Sequence, residues 1–127
     1  MRNLTIAAAF ILTAGMAMAD PVEGVWQTEP DDGAYAQITI SPCGERLCGV
    51  ISAAFNDDGS PRQSENLGKQ IVWDMQPTGD GSYGNGKIWR PSNGKTYKSK
   101  MALSGNRLKV SGCIGPICLG QNWTRVK

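Results

Sequence analysis

GKIWRPSNGKTYKSKM, residues Gly86–Met101, reads as two strands joined by a tight turn. Pro91 ends the first strand and pre-sets φ for the turn. Asn93 and Gly94 accept the positive backbone φ that reversing the chain demands. On the return strand Thr96, Lys98 and Lys100 alternate with Tyr97, Ser99 and Met101. That period of two is the mark of a strand with one wet face.

Working outward, the same alternation recurs between turn signals. Upstream, strands are predicted over 24–28, 35–41, 47–53 and 71–76, the last ended by Pro77 and the Gly79-Asp80-Gly81 turn. The hairpin itself supplies 83–90 and 95–103, and strands over 107–112 and 121–126 follow. Short strands at close spacing, with no helical period, predict an all-β fold. A sequential meander of eight closes most simply as a single antiparallel up-and-down barrel, which leaves no sheet edge exposed. Only 54–70, rich in Asn, Asp, Ser, Gly and Pro, is a long irregular stretch.

Residues 1–19 stand apart. Arg2, the apolar run 4–14 and Ala17-Met18-Ala19 have the layout of a signal peptide cleaved near Ala19. The apolar run is too short to span a bilayer as a helix, and no later stretch is longer. The expectation is a periplasmic or secreted bacterial protein whose barrel domain occupies residues 20–127. A balance of 13 Lys and Arg against 11 Asp and Glu lacks the basic stripe that nucleic-acid binding needs.

Cys43, Cys48, Cys113 and Cys118 permit three pairings, and sequence alone does not choose among them. Geometry favours Cys43 with Cys48 and Cys113 with Cys118, each bracketing a four-residue hairpin loop. Export makes oxidation reasonable. A zinc site is the competing reading, but zinc fingers use C-x₂₋₄-C spacing in reducing compartments, and this chain has no His.

Strand parity yields a site prediction. In a meander successive turns alternate between the barrel's ends, so Trp26 on the first strand meets Trp123 and Arg125 on the last. Arg125 is placed to stack on Trp26 and close that end. The other end collects the 54–70 stretch and the 91–94 turn, and with them Trp73, Trp89 and Tyr97. Barrels of eight strands either fill with side chains or hold one small ligand.

Two resemblances sit on these residues. GVW at 24–26 and WTR at 123–125 resemble the calycin pattern, in which lipocalins pack a first-strand Trp against a last-strand Arg. The chain from GVWQTEP through LCGVI to GKIWRPSNGKTYKSKMAL and QNWTRV resembles the bacterial exported family named domain of unknown function 2147, departing from it over 54–70. The resemblance implies a lipocalin- or streptavidin-like barrel and no activity.

With no His in the chain, the commonest general base is missing and a Ser-His-Asp triad is excluded. The run Gly79–Gly84 matches G-x-G-x-x-G but joins two strands, so it is a turn and not a dinucleotide fingerprint. Asn56-Asp57-Asp58-Gly59 with Glu65 imitates a calcium loop whose first ligand position falls on Ala54. No enzyme activity, metal or cofactor is expected. The expected function is binding of a small apolar or aromatic ligand by Trp73, Trp89 and Tyr97, with Ser99 as a polar contact. The alternative is a protein-interaction module, an inhibitor or envelope-stress accessory, in which 54–70 meets an envelope protein and the barrel is solid.

Overall fold

The computed structural model describes residues 19–127, so the predicted leader, apart from Ala19, lies outside the described residues. Eight strands follow one another: β1 (Gly24–Gln27), β2 (Ala34–Cys43), β3 (Arg46–Asn56), β4 (Gln70–Gly79), β5 (Ser82–Arg90), β6 (Lys95–Ser104), β7 (Arg107–Ile114) and β8 (Ile117–Arg125). Each pairs antiparallel with the next, and β1 pairs with β8, so the meander closes as predicted. Among the described residues no helix is long and apolar enough to cross a membrane.

Several strands outrun their predicted limits. Pro77 does not end β4 but pairs with Tyr83 inside it. Its missing N–H is tolerated because β3 pairs with β4 only as far as Met75, which makes the rest of β4 a local edge. Both cysteine hairpins are tighter than the four-residue loops expected, turning on 44–45 and 115–116. Disulfides link Cys43 to Cys48 and Cys113 to Cys118, with Cα atoms 5.8 and 4.0 Å apart.

One end of the barrel is sealed from the sequence upward. Trp26 lies opposite Arg125 across the β1–β8 seam. The Arg125 guanidinium sits 4.3 Å from the Trp26 ring centroid and donates to the carbonyls of Glu23 and Pro21 at 3.1 and 2.6 Å. The indole Nε1 donates to the Val22 carbonyl at 2.8 Å. Asp20-Pro21-Val22-Glu23 folds as a reciprocal cap: Asp20 Oδ1 accepts from the Val22 N–H, and Glu23 Oε2 accepts from the Asp20 N–H. Asp20 also accepts from the Tyr83 hydroxyl. Burial, and secondarily this carboxylate, push the Tyr83 phenol well above the ordinary tyrosine range.

Above this seal the lower half of the barrel is solid. Trp26, Ile38, Val72, Met75 and Leu108 have no exposed surface, and Ile40, Met101 and Trp123 have almost none. Gly49 belongs to this layer because a Cβ there would stand 2.8 Å from Ile38 Cγ2 and 3.0 Å from Val72 Cγ2.

β4 departs from simple alternation twice. The β3 register steps from Val50↔Gln70 to Gly49↔Val72, leaving Ile71 as an extra residue. Three residues on, Asp74 has φ +58° and lies between Gly49↔Val72 and Leu47↔Met75, where the β3 register steps a second time. Such bulges reset which face a strand presents. As a result Val72 and Met75, three residues apart, are both buried in the barrel.

Candidate functional site

The open end carries the connections 28–33, 57–69, 91–94 and 115–116, and below them the barrel is hollow. A cavity of about 700 Å³ opens there. Ile51, Ile71, Ile88 and Val110 form its apolar wall and Trp123 its floor. Polar groups come from the rim: Thr28, Ser64, Asn66 and Gln121, and the charged Glu29, Asp31, Asp32, Arg62 and Arg90. An apolar chamber with a few polar groups at its mouth is the usual build of a small-molecule site.

Of the residues predicted to gather here, two do. Tyr97 lies opposite Ile88 on the inner face of the β5–β6 hairpin, and its hydroxyl accepts from Asn93 Nδ2 at 2.9 Å, which ties it to the turn. Gly112 makes room beside it: a Cβ there would stand 3.3 Å from Ile88 Cγ2 and 3.4 Å from Tyr97 Cβ. Trp89 also lines the mouth. Lys69 Nζ lies 5.6 Å from its ring centroid, on the side of the 57–69 connection.

The other two stand elsewhere. Trp73 pairs with Lys87 in register with exposed Lys98, on the outer face of the barrel. The expectation that it joins Trp89 and Tyr97 assumed unbroken alternation through Ile71, Trp73 and Met75; the bulges at Ile71 and Asp74 turn Trp73 outward. Ser99 points inward but is 5% exposed, and its hydroxyl donates to the Ser111 carbonyl at 2.7 Å. That bond holds β6 to β7 and leaves Ser99 outside the cavity lining.

The cavity also has a flank that alternation in the outer strands did not bring forward. Ile114, Ile117 and Leu119 line it while 70%, 66% and 79% exposed. A two-residue Gly115-Pro116 turn would have put all three on one face, but a four-residue loop hides Ile114 and Ile117 inside it. The signal is the uncharged run GCIGPICLGQ over 112–121, of which 113–120 reads as connection between two expected strands.

Electrostatics stiffens the opposite rim. Arg90 grips Asp31 through two parallel bonds, Nε to Oδ2 at 2.9 Å and Nη2 to Oδ1 at 2.8 Å. Ser92 adds a third bond at 3.1 Å. Arg90, ahead of Ser92, holds the Asp31 carboxyl below its usual range. The 57–69 connection is tied down as well. Gly68 N–H donates to Ile51 O at 2.7 Å, Arg62 N–H to Ala54 O at 2.9 Å, and Ile51 N–H to Lys69 O at 3.0 Å. Within that loop Ser60 donates to Asp58 through both hydroxyl and N–H, lowering the Asp58 pKa.

A family model described as "Uncharacterized protein conserved in bacteria (DUF2147)" matches residues 24–125, from the first strand to the last. The chain belongs to the DUF2147 family. Among solved structures, this DUF2147 chain is similar to protein HP1028 from Helicobacter pylori, described as belonging to the lipocalin family. The two share 18% identity, with 83% of this chain and 82% of that one covered and a TM-score of 0.67. At that identity the likeness is one of fold: a lipocalin-like barrel. No curated protein matches the chain.

Proposed function

We propose that this DUF2147 barrel binds a small apolar or aromatic molecule at its open end. The observation that carries the reading is the half-filled interior, packed from Trp26 to Met101 and hollow above, with Trp89 and Tyr97 at the mouth. A chamber walled by aliphatic side chains favours an apolar guest, which makes dispersion contacts with that lining. Asn66, Ser64 and Arg62 at the rim suit a guest with one polar end. Two disulfides support maturation in an oxidising compartment, so the ligand would be met in the periplasm or outside the cell after cleavage near Ala19. The absence of His supports a binding role over general acid–base chemistry.

The test is titration with an uncharged naphthylamine dye, read by its fluorescence. Losing the Trp89 face removes roughly 60 Å² of apolar contact, on the order of 1.5 kcal/mol at 25 cal/mol per Å². Trp89→Ala should therefore weaken binding about tenfold, whereas Trp73→Ala, on the outer face, should leave it unchanged. Equal losses from both, or none from Trp89→Ala, would sink the assignment.

A further inference from the structure

The barrel is closed along only part of its seam. β1 is four residues long, and it meets β8 at two positions, Trp26↔Arg125 and Gln27↔Thr124. Above them the upper half of β8 has β7 on one side and no strand on the other. Which backbone groups this strands follows from the register. Cys113 and Cys118 face each other with Cα atoms 4.0 Å apart, the close spacing of a pair that does not exchange hydrogen bonds. Even-numbered residues of β8 therefore turn their N–H and C=O away from β7. Two bonds agree: Arg125 N–H reaches Asn106 across the β7 side, and Val126 N–H reaches Val25 across the β1 side. Farther up, the Asn122 N–H is taken by the Glu29 carboxylate at 2.6 Å. Cys118 and Gly120, the next even residues, have no strand beside them.

Between Ile117 and Gln121 this edge carries no charged side chain and no bulge; its guards, Pro116 and Glu29, stand at either end. Exposed edges are normally blunted by charge, a bulge or a covering loop, yet residues 114–121, IGPICLGQ, contain no ionisable side chain other than the disulfide-bonded Cys118. Flanking the free backbone groups are Ile114, Ile117 and Leu119, three of the most exposed large apolar side chains among the described residues. Unpaired backbone and exposed aliphatics in one place mark a strand-addition site.

We propose that the occupant is a second copy of this chain, paired antiparallel through β8 about a two-fold axis at Leu119. The register is self-complementary. With Leu119 opposite its counterpart, Cys118 faces Gly120 of the other copy and Gly120 faces Cys118, so each stranded N–H meets a stranded C=O. Isologous contact of this kind closes at two copies and leaves no further edge. Along the strand itself charge does not oppose self-association, because residues 114–121 carry no charged side chain. A bilayer fits less well. It offers no partner for the backbone groups, and Glu29, Asp32, Asp57 and Asp58 crowd the same end of the barrel. In the dimer the partner copy walls the open flank of the cavity, where Ile117 and Leu119 now face solvent. The pairing holds or fails independently of what the cavity binds.

Sedimentation equilibrium on the oxidised protein, from micromolar to millimolar, tests this together with amide hydrogen exchange. The wild type should pass from monomer to dimer, with the Cys118 and Gly120 amides gaining protection as concentration rises. Leu119→Lys, which sets two ammonium groups across the axis, should weaken dimerisation more than about tenfold. Unchanged protection around Trp26 would verify that the variant folds. Leu119→Asp supplies the same like-charge contact should the lysine variant be poorly folded. A wild type that stays monomeric with both amides unprotected overturns the proposal. So does a dimer that both variants leave intact, or a monomer that gains protection at these amides only on adding phosphatidylglycerol vesicles.

Discussion

Arg125 offers the sharpest test of how the barrel is closed. Truncating it to Ala removes a guanidinium stacked 4.3 Å above the Trp26 centroid and two bonds to the carbonyls of Glu23 and Pro21. Stacking of a partly desolvated cation on an indole is worth about 1 kcal/mol. Bonds from a charged donor contribute about 1 kcal/mol each once partial solvent access is allowed for. The sum is about 3 kcal/mol, or roughly 15 °C in Tm for a domain of this size. Arg125→Lys keeps the cation over the ring but has no planar fork to span two carbonyls. It should lose about half as much. Urea denaturation followed by tryptophan fluorescence, with the slope unchanged and the midpoint shifted, reads both values. If Arg125→Ala costs less than about 0.5 kcal/mol, the stack is ornamental and closure rests on strand pairing and buried Trp26 alone. If Lys matches Arg, the two carbonyl bonds do not matter.

Two further outcomes concern the sealed end and the packed layer. Tyr83 has its pKa raised on folding, first by burial and then by Asp20. Its contribution is therefore complete below the unfolded value near pH 10 and is lost as pH rises toward the folded value. Thermal melts between about pH 8 and pH 11 should show the wild type losing stability more steeply than Tyr83→Phe; parallel curves would refute the coupling. Gly49→Ala puts a methyl 2.8 Å from Ile38 Cγ2, an overpacking that should cost about 1–3 kcal/mol by the same urea assay, and a neutral result would mean the layer can relax.

Much of this was legible in the chain, for identifiable reasons. The hairpin over 86–101 announced itself because its turn residues and its alternation agree. The meeting of Trp26 with Arg125 followed from counting turns, which needs no side-chain detail. Reading failed where a strand stops obeying a period of two. Ile71, Trp73 and Met75 look like one face, but an extra residue at Ile71 and a left-handed Asp74 separate them. Nothing in the local sequence compels those bulges; they follow from matching β4 to both neighbours at once. Ile114 and Ile117 were missed for the opposite reason. Their turn is shorter than the cysteine spacing suggested, so residues read as connection are strand.

The shortness of β1 has a consequence for the order in which the molecule assembles. Each strand from β1 to β7 pairs with its immediate successor, so each hairpin can zip as soon as its own turn exists. The rungs Trp26↔Arg125 and Gln27↔Thr124 instead join the two extremes of the folded domain, and contacts of such long sequence separation form late. A chain emerging from a ribosome or a translocation pore releases β1 and β2 first among the strands and β8, which closes the barrel on β1, last. The first strand must therefore wait, with Trp26 uncovered, until the final residues arrive.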